Sequence, residues 1–311
     1  MTRVSEHSRV PVAPQNDDVL GLKIESALAA LAPSAELEPA RLAAAMRYSL
    51  LSPGKRVRVR MTALAVQDLC GPVVDAIVAG CAFEMVHSAS LILDDLPCMD
   101  DAERRRGVPT NHRVYGEDTA ILAAIGLLGD AFKALAGLER IGAHLRTGLV
   151  ASLGEAMGIM GLVGGQEMDL RAARTQVSET LVQTIHERKT GALFACAAQA
   201  AAWIIDRHDD LGAPLYDFGM LAGTAFQAYD DLADVQAPSA QLGKDTGNDD
   251  DKATLVALAG VEQAQASADR QFRDAFVRLE GTQLQHGALA GFVVELQSAL
   301  KARIRRFEPA R

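Results

Sequence analysis

Two clusters of aspartate, each set into an otherwise apolar segment, constrain this chain more than anything else in it. The first is Leu91-Ile92-Leu93-Asp94-Asp95-Leu96-Pro97-Cys98-Met99-Asp100-Asp101, followed at once by Ala102-Glu103-Arg104-Arg105-Arg106-Gly107. The second, Phe226-Gln227-Ala228-Tyr229-Asp230-Asp231-Leu232-Ala233-Asp234, comes more than a hundred residues later. Neighbouring carboxylates oppose one another's ionisation unless cations sit between them. Oxygen-rich clusters of this kind suit Mg²⁺, which keeps several waters and shares phosphate oxygens with a ligand. The arginines behind the first cluster supply planar forks that recognise phosphate. On a helix Asp230 and Asp234 share a face one turn apart, a like-charge spacing that costs roughly 0.2–0.5 kcal/mol per pair. One such match is an ordinary solvated helix. Two matches inside apolar segments imply helices that face each other across a bundle and enclose metal ions around a diphosphate.

Composition supports the bundle: 49% of residues are hydrophobic but only 5% aromatic, and the apolar segments run longer than strands. Helices are predicted at Val19–Ala32, Ala35–Leu51, Val59–Leu69, Val73–Leu96, Asp118–Leu135, Leu138–Met160, Ser178–Ile205, Pro214–Val235, Leu255–Leu279 and Gly287–Phe307. Pro97 should end or bulge the fourth of these, leaving its carboxylates at a helix C-terminus where the dipole disfavours anions. No segment alternates with period two for long enough to predict a strand, and no Gly-, Pro- or Ser-rich linker divides the chain. The expectation is an all-α, single-domain bundle over residues 19–311 around a central cavity, behind a loose polar tail over residues 1–18.

Several function classes are set aside. A net charge of −9 argues against a nucleic-acid partner. Cys70, Cys81, Cys98 and Cys196 have neither metal-ligand spacing nor the density of a disulfide framework, so they read as reduced thiols in a cytoplasmic protein. The longest apolar run, Gly191 to Ile205, falls short of the ~20 residues a bilayer span needs, so no membrane span is expected. Other charged stretches are ambiguous alone. Ser52-Pro53-Gly54-Lys55-Arg56-Val57-Arg58-Val59-Arg60 reads as a solvated basic helix start, although cations there oppose the macrodipole and favour a phosphate ligand. Lys189-Thr190 interrupts an apolar helix, where a lysine either enters a cavity or snorkels. His87, two turns before Asp94, reads alone as a structural histidine, and Gly243-Lys244-Asp245 through Lys252 as an exposed loop.

Taken together and in order, these residues resemble the trans-polyprenyl diphosphate synthases, the head-to-tail isoprenoid chain elongators. The likeness rests on Asp94-Asp95 with Asp100, Arg105-Arg106-Gly107, Asp230-Asp231 with Asp234, and Gly223 with Phe226-Gln227. It extends to Lys55 and Arg58, His87, Gly165-Gln166 with Asp169, Lys189-Thr190 and Gly243-Lys244-Asp245. It spans roughly Gly21 to the C-terminal helix. The resemblance implies an isoprenoid-synthase bundle, usually a homodimer, with Mg²⁺ as cofactor, three ions per site once substrate is bound. By carry-over, Asp94, Asp100 and Asp230 ligate metal with Asp95, Asp231 and Asp234 in support; Arg105, Lys189 and Lys244 hold the allylic diphosphate. Lys55, Arg58, His87 and Arg106 hold isopentenyl diphosphate, and Lys189, Thr190 and Gln227 serve the reaction itself, the last two steadying the developing allylic cation. The stretch after Lys244 departs from many relatives, which places its role as a lid in question.

Product length is expected to depend on Ala89 and Ser90, about one turn before Asp94, where relatives that stop at fifteen carbons tend to carry an aromatic. Two small residues, with Pro97-Cys98 inserted in the motif, resemble the geranylgeranyl diphosphate synthases of bacterial carotenoid pathways. The competing readings are a synthase of another chain length, C15 or longer than C20, a class I terpene cyclase, and a non-catalytic partner subunit.

Overall fold

A computed structural model describes residues 16–172, 177–236 and 254–305. Its helices are α1 (Asn16–Leu31), α2 (Ala40–Leu50), α3 (Val57–Asp68), α4 (Val73–Asp94), α5 (Asn111–Tyr115), α6 (Glu117–Ala136), α7 (Ala143–Met157), α8 (Leu162–Ala172), α9 (Glu179–His186), α10 (Ala192–Ile204), α11 (His208–Gln236), α12 (Leu255–Ala259), α13 (Val261–Arg278) and α14 (Ala288–Arg305). A π turn, Glu187–Gly191, joins α9 to α10. The described residues form an all-α bundle, as expected. Among the described residues the sheet structure is one pair of two-residue strands, β1 (Arg104–Arg105) and β2 (Val108–Pro109).

The alanine content explains how the bundle closes. Helix α10 runs through the middle against α3, α4, α7 and α11, and its Ala195, Ala197 and Ala201 have no exposed surface. Small side chains let helix backbones approach closely while larger neighbours such as Phe83, Phe194, Phe218 and Phe272 fill the remaining space. One continuous hydrophobic core runs from Leu20 in α1 to Ile304 in α14.

Several boundaries differ from expectation for identifiable reasons. Helix α1 begins at Asn16, so the predicted tail loses its last three residues to a helix, and residues 1–15 lie outside the described chain. Helix α2 starts only after Pro39, and α4 ends at Asp94, three residues before Pro97. The predicted helix over Leu255–Leu279 is two, because Gly260 adopts a left-handed φ of 82° between them. Helices α5 and α8 and the β1–β2 pair were not anticipated; they are short and carry little periodicity. The length argument about membranes, that no apolar stretch reaches the span of a bilayer, needs correcting. Val73–Asp94, Glu117–Ala136 and Ala143–Ala172 are long and apolar enough to cross a bilayer by length and composition, although 72% of the apolar window in the first is buried inside the bundle.

The C-terminal helix is tied to the core by a cap from elsewhere in the sequence. Asp68, at the end of α3, accepts hydrogen bonds from the first amides of α14, Ala288 N at 2.8 Å and Leu289 N at 2.9 Å. These are the donors a helix leaves unsatisfied. Asp68→Ala should therefore cost about 0.5–2 kcal/mol, read as a lowered Tm in thermal unfolding; an unchanged Tm would show that water replaces the carboxylate without loss.

Candidate active site

The first acidic cluster is built by the way α4 ends. A helix leaves its last carbonyls unpaired, and here the following loop folds back to cap them: Asp100 N donates to Asp94 O at 2.9 Å and Ala102 N to Asp95 O at 3.2 Å. The inserted Pro97-Cys98 thus forms a turn that returns Asp100 to Asp94. Burial raises the Asp94 carboxyl above its usual range; Lys189 is the largest opposing influence, and Asp100 adds to the rise. Asp95 points elsewhere. Its Oδ1 accepts from Arg105 Nε at 2.7 Å, with Nη2 of the same guanidinium also 2.7 Å away, and burial still pushes the carboxyl up to about 6.

Arg105 is aimed by the β1–β2 pair. Arg105 and Val108 are partners, leaving Arg106 and Gly107 as a two-residue turn with φ of 53° and 81°. Positive φ at both positions is the turn that matches strand twist, and the second favours glycine. Arg106 meanwhile donates to Pro53 O at 3.1 Å, joining this turn to the loop before α3. There Lys55 Nζ lies 5.8 Å from the Phe226 ring and the Arg58 guanidinium 4.7 Å from Phe194. Arg58 is buried, its Nε has no partner among the described residues, and burial lowers its pKa to about 10, so it remains cationic at neutral pH. His87 sits beside it. Burial and the fields of Arg58, Arg106 and Arg105 depress its pKa well below the ordinary histidine range, leaving a neutral imidazole at neutral pH.

The two acidic clusters meet at the π turn. Lys189 Nζ binds Asp169 Oδ2 at 2.6 Å and acts on Asp94 across the gap. The adjacent Thr190 donates its hydroxyl to Gln227 Oε1 at 2.7 Å, and Gln227 Nε2 donates to Asp231 Oδ1 at 2.9 Å. Turns of this kind recur at functional positions in helices. Backbone packing holds it in place: a Cβ on Gly165 of α8 would lie 2.3 Å from Lys189 N, and one on Gly223 of α11 would meet Phe194 at 2.7 Å and Gly191 at 3.0 Å. The second cluster is divided like the first. Asp231 turns toward Gln227 and His186, whose Nε2 is 2.9 Å from Asp231 Oδ2. Asp230 and Asp234 face Arg303 of α14, at 2.9 and 3.8 Å.

Lys189, Thr190, Gln227 and both acidic clusters are thereby linked, and beside them lie the cations Lys55, Arg58, Arg105 and Arg106, with the neutral His87 among the arginines. Lys244 lies outside the described residues. Ala89 is fully buried in the core, and Ser90 is half-buried with its hydroxyl on His87 O at 2.9 Å. The donors are carboxylate oxygens in two separate clusters, and no three His, Cys, Asp or Glu side chains among the described residues converge to enclose a metal alone. Oxygen donors in small number suit Mg²⁺ completed by water and phosphate.

Comparison with known proteins gives the family. The sequence signature of the polyprenyl synthetase family matches residues 39–285. This chain belongs to the polyprenyl synthetase family. As a polyprenyl synthetase it is a prenyltransferase that elongates prenyl chains. It is 40% identical over 256 residues to farnesyl diphosphate synthase of Bacillus subtilis, covering 81% of this chain and 86% of that one. It is 35% identical over 289 residues to geranylgeranyl diphosphate synthase of Pseudescherichia vulneris, covering 92% and 93%. Among solved structures it is similar to the geranyltransferase of Helicobacter pylori complexed with magnesium and isoprenyl diphosphate. That match has a TM-score of 0.78 at 27% identity and covers 96% of this chain and 100% of that one.

Three contacts of this polyprenyl synthetase were not singled out from sequence. His186 is one turn before Thr190, a spacing that could have flagged it. Glu84, 2% exposed, reaches Arg56 Nη1 at 3.3 Å under the cationic group. Arg303 resembles an ordinary basic last turn. Gly165→Ala tests the π-turn geometry: overpacking should cost about 1–3 kcal/mol, lower the Tm and reduce kcat/KM by displacing Lys189. An unchanged Tm and kcat/KM would show that the gap accommodates a methyl group.

Proposed function

We propose that this chain condenses isopentenyl diphosphate with an allylic diphosphate, farnesyl diphosphate being the last acceptor, and releases geranylgeranyl diphosphate and diphosphate. The observation that supports the chemistry is the π turn itself, whose Lys189 acts on Asp94 of the first cluster and whose Thr190 bonds Gln227, the partner of Asp231 in the second. Asp94, Asp100 and Asp230 would hold Mg²⁺, three ions per site with substrate, and Asp95, Asp231 and Asp234 would support them. When bound, the metal stabilises the charge that gathers on the departing diphosphate.

The protein's own groups share the remaining work. Arg105, Lys189 and Lys244 hold the allylic diphosphate, so fixed positive charge lies where negative charge develops as the allylic C–O bond breaks. Lys55, Arg58, Arg106 and neutral His87 hold the diphosphate of isopentenyl diphosphate, and the unpartnered Nε of Arg58 supports that role. The double bond of isopentenyl diphosphate then attacks the allylic carbon. A proton leaves the adduct for the departing diphosphate, restoring the double bond. Thr190 and Gln227 present oxygen dipoles toward the carbon that carries positive charge, and the apolar surroundings exclude the water that would convert it to an alcohol.

The C20 endpoint rests on the small size of Ala89 and Ser90, where an aromatic side chain would take up the space a further isoprene unit needs. The likeness to the Bacillus subtilis farnesyl diphosphate synthase favours C15 as the second reading. We further propose one synthase domain over residues 19–311, a cytoplasmic setting and a homodimer. The exposed Ile121, Leu122 and Ile125 of α6, with Ile159 and Met160 between α7 and α8 and Val163 of α8, supply apolar surface for a partner copy.

Purified enzyme given farnesyl and isopentenyl diphosphates with Mg²⁺ should release a C20 product by chromatography, and Ala89→Phe should shift products toward C15. No C20 product from the parent enzyme would overturn the endpoint. An unchanged spectrum in the variant would place the floor of the chain-binding space elsewhere.

A further inference from the structure

The contact between α14 and the second acidic cluster has no counterpart in the chemistry described so far. Arg303 Nη1 donates to Asp230 Oδ1 at 2.9 Å and Nη2 lies 3.8 Å from Asp234 Oδ1, so one guanidinium spans two carboxylates a helical turn apart. Both carboxylates are half-buried, and so is the arginine. The position is built. Two and six residues earlier on α14, Lys301 Nζ and Gln297 Nε2 bind Asp269 of α13 at 2.8 and 2.9 Å. Asp269 also accepts the hydroxyl of Tyr229, the residue before Asp230. The Asp68 cap secures the far end of the same helix. The last turn of α14 is thus bracketed against α11, and the guanidinium has a defined place over the acidic face.

We infer that Arg303 is an internal counter-ion of the second acidic cluster, which metal must displace in order to bind there. The inference rests on the proposed reading that Asp230 and Asp234 serve the metal. Two carboxylates on one helix face repel, and a cation between them offsets that repulsion. A guanidinium and a divalent cation occupying the same oxygens repel each other in turn, and both cannot make first contact with Asp230 Oδ1. Because the backbone of α14 is anchored at Gln297 and Lys301, metal binding need move only the Arg303 side chain. The consequence is a higher metal concentration for occupancy of the second cluster than its carboxylates alone would need. Metal arriving with a diphosphate, which brings further charge and ligands, would overcome it.

The test uses the full chain with Mn²⁺ as the probe, its binding read from loss of the free-ion electron paramagnetic resonance signal without substrate. Parent protein, Arg303→Gln, Arg303→Lys, Asp230→Asn and the double variant Arg303→Gln/Asp230→Asn are compared after circular dichroism has shown equal helicity. Arg303→Gln should bind Mn²⁺ roughly three- to tenfold more tightly, the scale of one partly exposed charge acting on another, and Arg303→Lys should stay near the parent. If Asp230→Asn loses binding while Arg303→Gln binds like the parent or more weakly, the counter-ion inference is overturned and the metal reading stands. If Arg303→Gln and the double variant Arg303→Gln/Asp230→Asn bind alike, the second cluster is not a metal site and both fall.

Discussion

Negative charge held inside an alanine-rich bundle is the constraint to which the rest of this molecule answers, and the π turn carrying Lys189 and Thr190 is where it is met. Lys189 bears the largest cationic influence on Asp94; Thr190 fixes Gln227, and Gln227 fixes Asp231. Two helices distant in sequence thereby share one polar junction in a surrounding that would otherwise tolerate none. Without it, each acidic cluster would be an expensive local feature with no common ligand.

The junction depends on close packing of small residues. Gly165 lets α8 approach the backbone of Lys189, and Gly191 meets Gly223 where the turn crosses α11. The same economy of side chain gives α10 its buried course through the bundle. Around this frame the charges divide by role. Asp95 is engaged by Arg105 in the first cluster; in the second, Asp231 is engaged by Gln227 and Asp230 by Arg303. Lys55 and Arg58 lie over the aromatic rings of Phe226 and Phe194, and Arg106 sits in the turn with Gly107, next to the neutral His87. Separate places for two diphosphates follow from that partition in the proposed reaction.

Much of this was readable from residue order, because long apolar segments have one stable use in a chain with few aromatics and no strand periodicity. The acidic motifs stood out for a physical reason: like charges in apolar helices require partners. What stayed hidden was local. The π turn leaves the hydrophobic pattern of Ser178–Ile205 intact, so it reads as one helix. The return of Asp100 to Asp94 depends on backbone amides that capping residues do not announce. Arg303 and Glu84 act through tertiary contacts, and nothing in their neighbours along the chain distinguishes them from surface or core charges. Lys244 and the stretch after it lie outside the described residues, so the expected lid has no structural description.

The most direct measurement is a crystal of the parent protein grown with Mn²⁺ and inorganic pyrophosphate, with metal positions taken from anomalous scattering. Expected are peaks on Asp94 and Asp100 on one side and on Asp230 on the other, flanking one pyrophosphate that also contacts Lys189 and Arg105. Peaks confined to one acidic cluster, or a pyrophosphate bound without contact to both, would contradict the idea that the two clusters serve a single diphosphate.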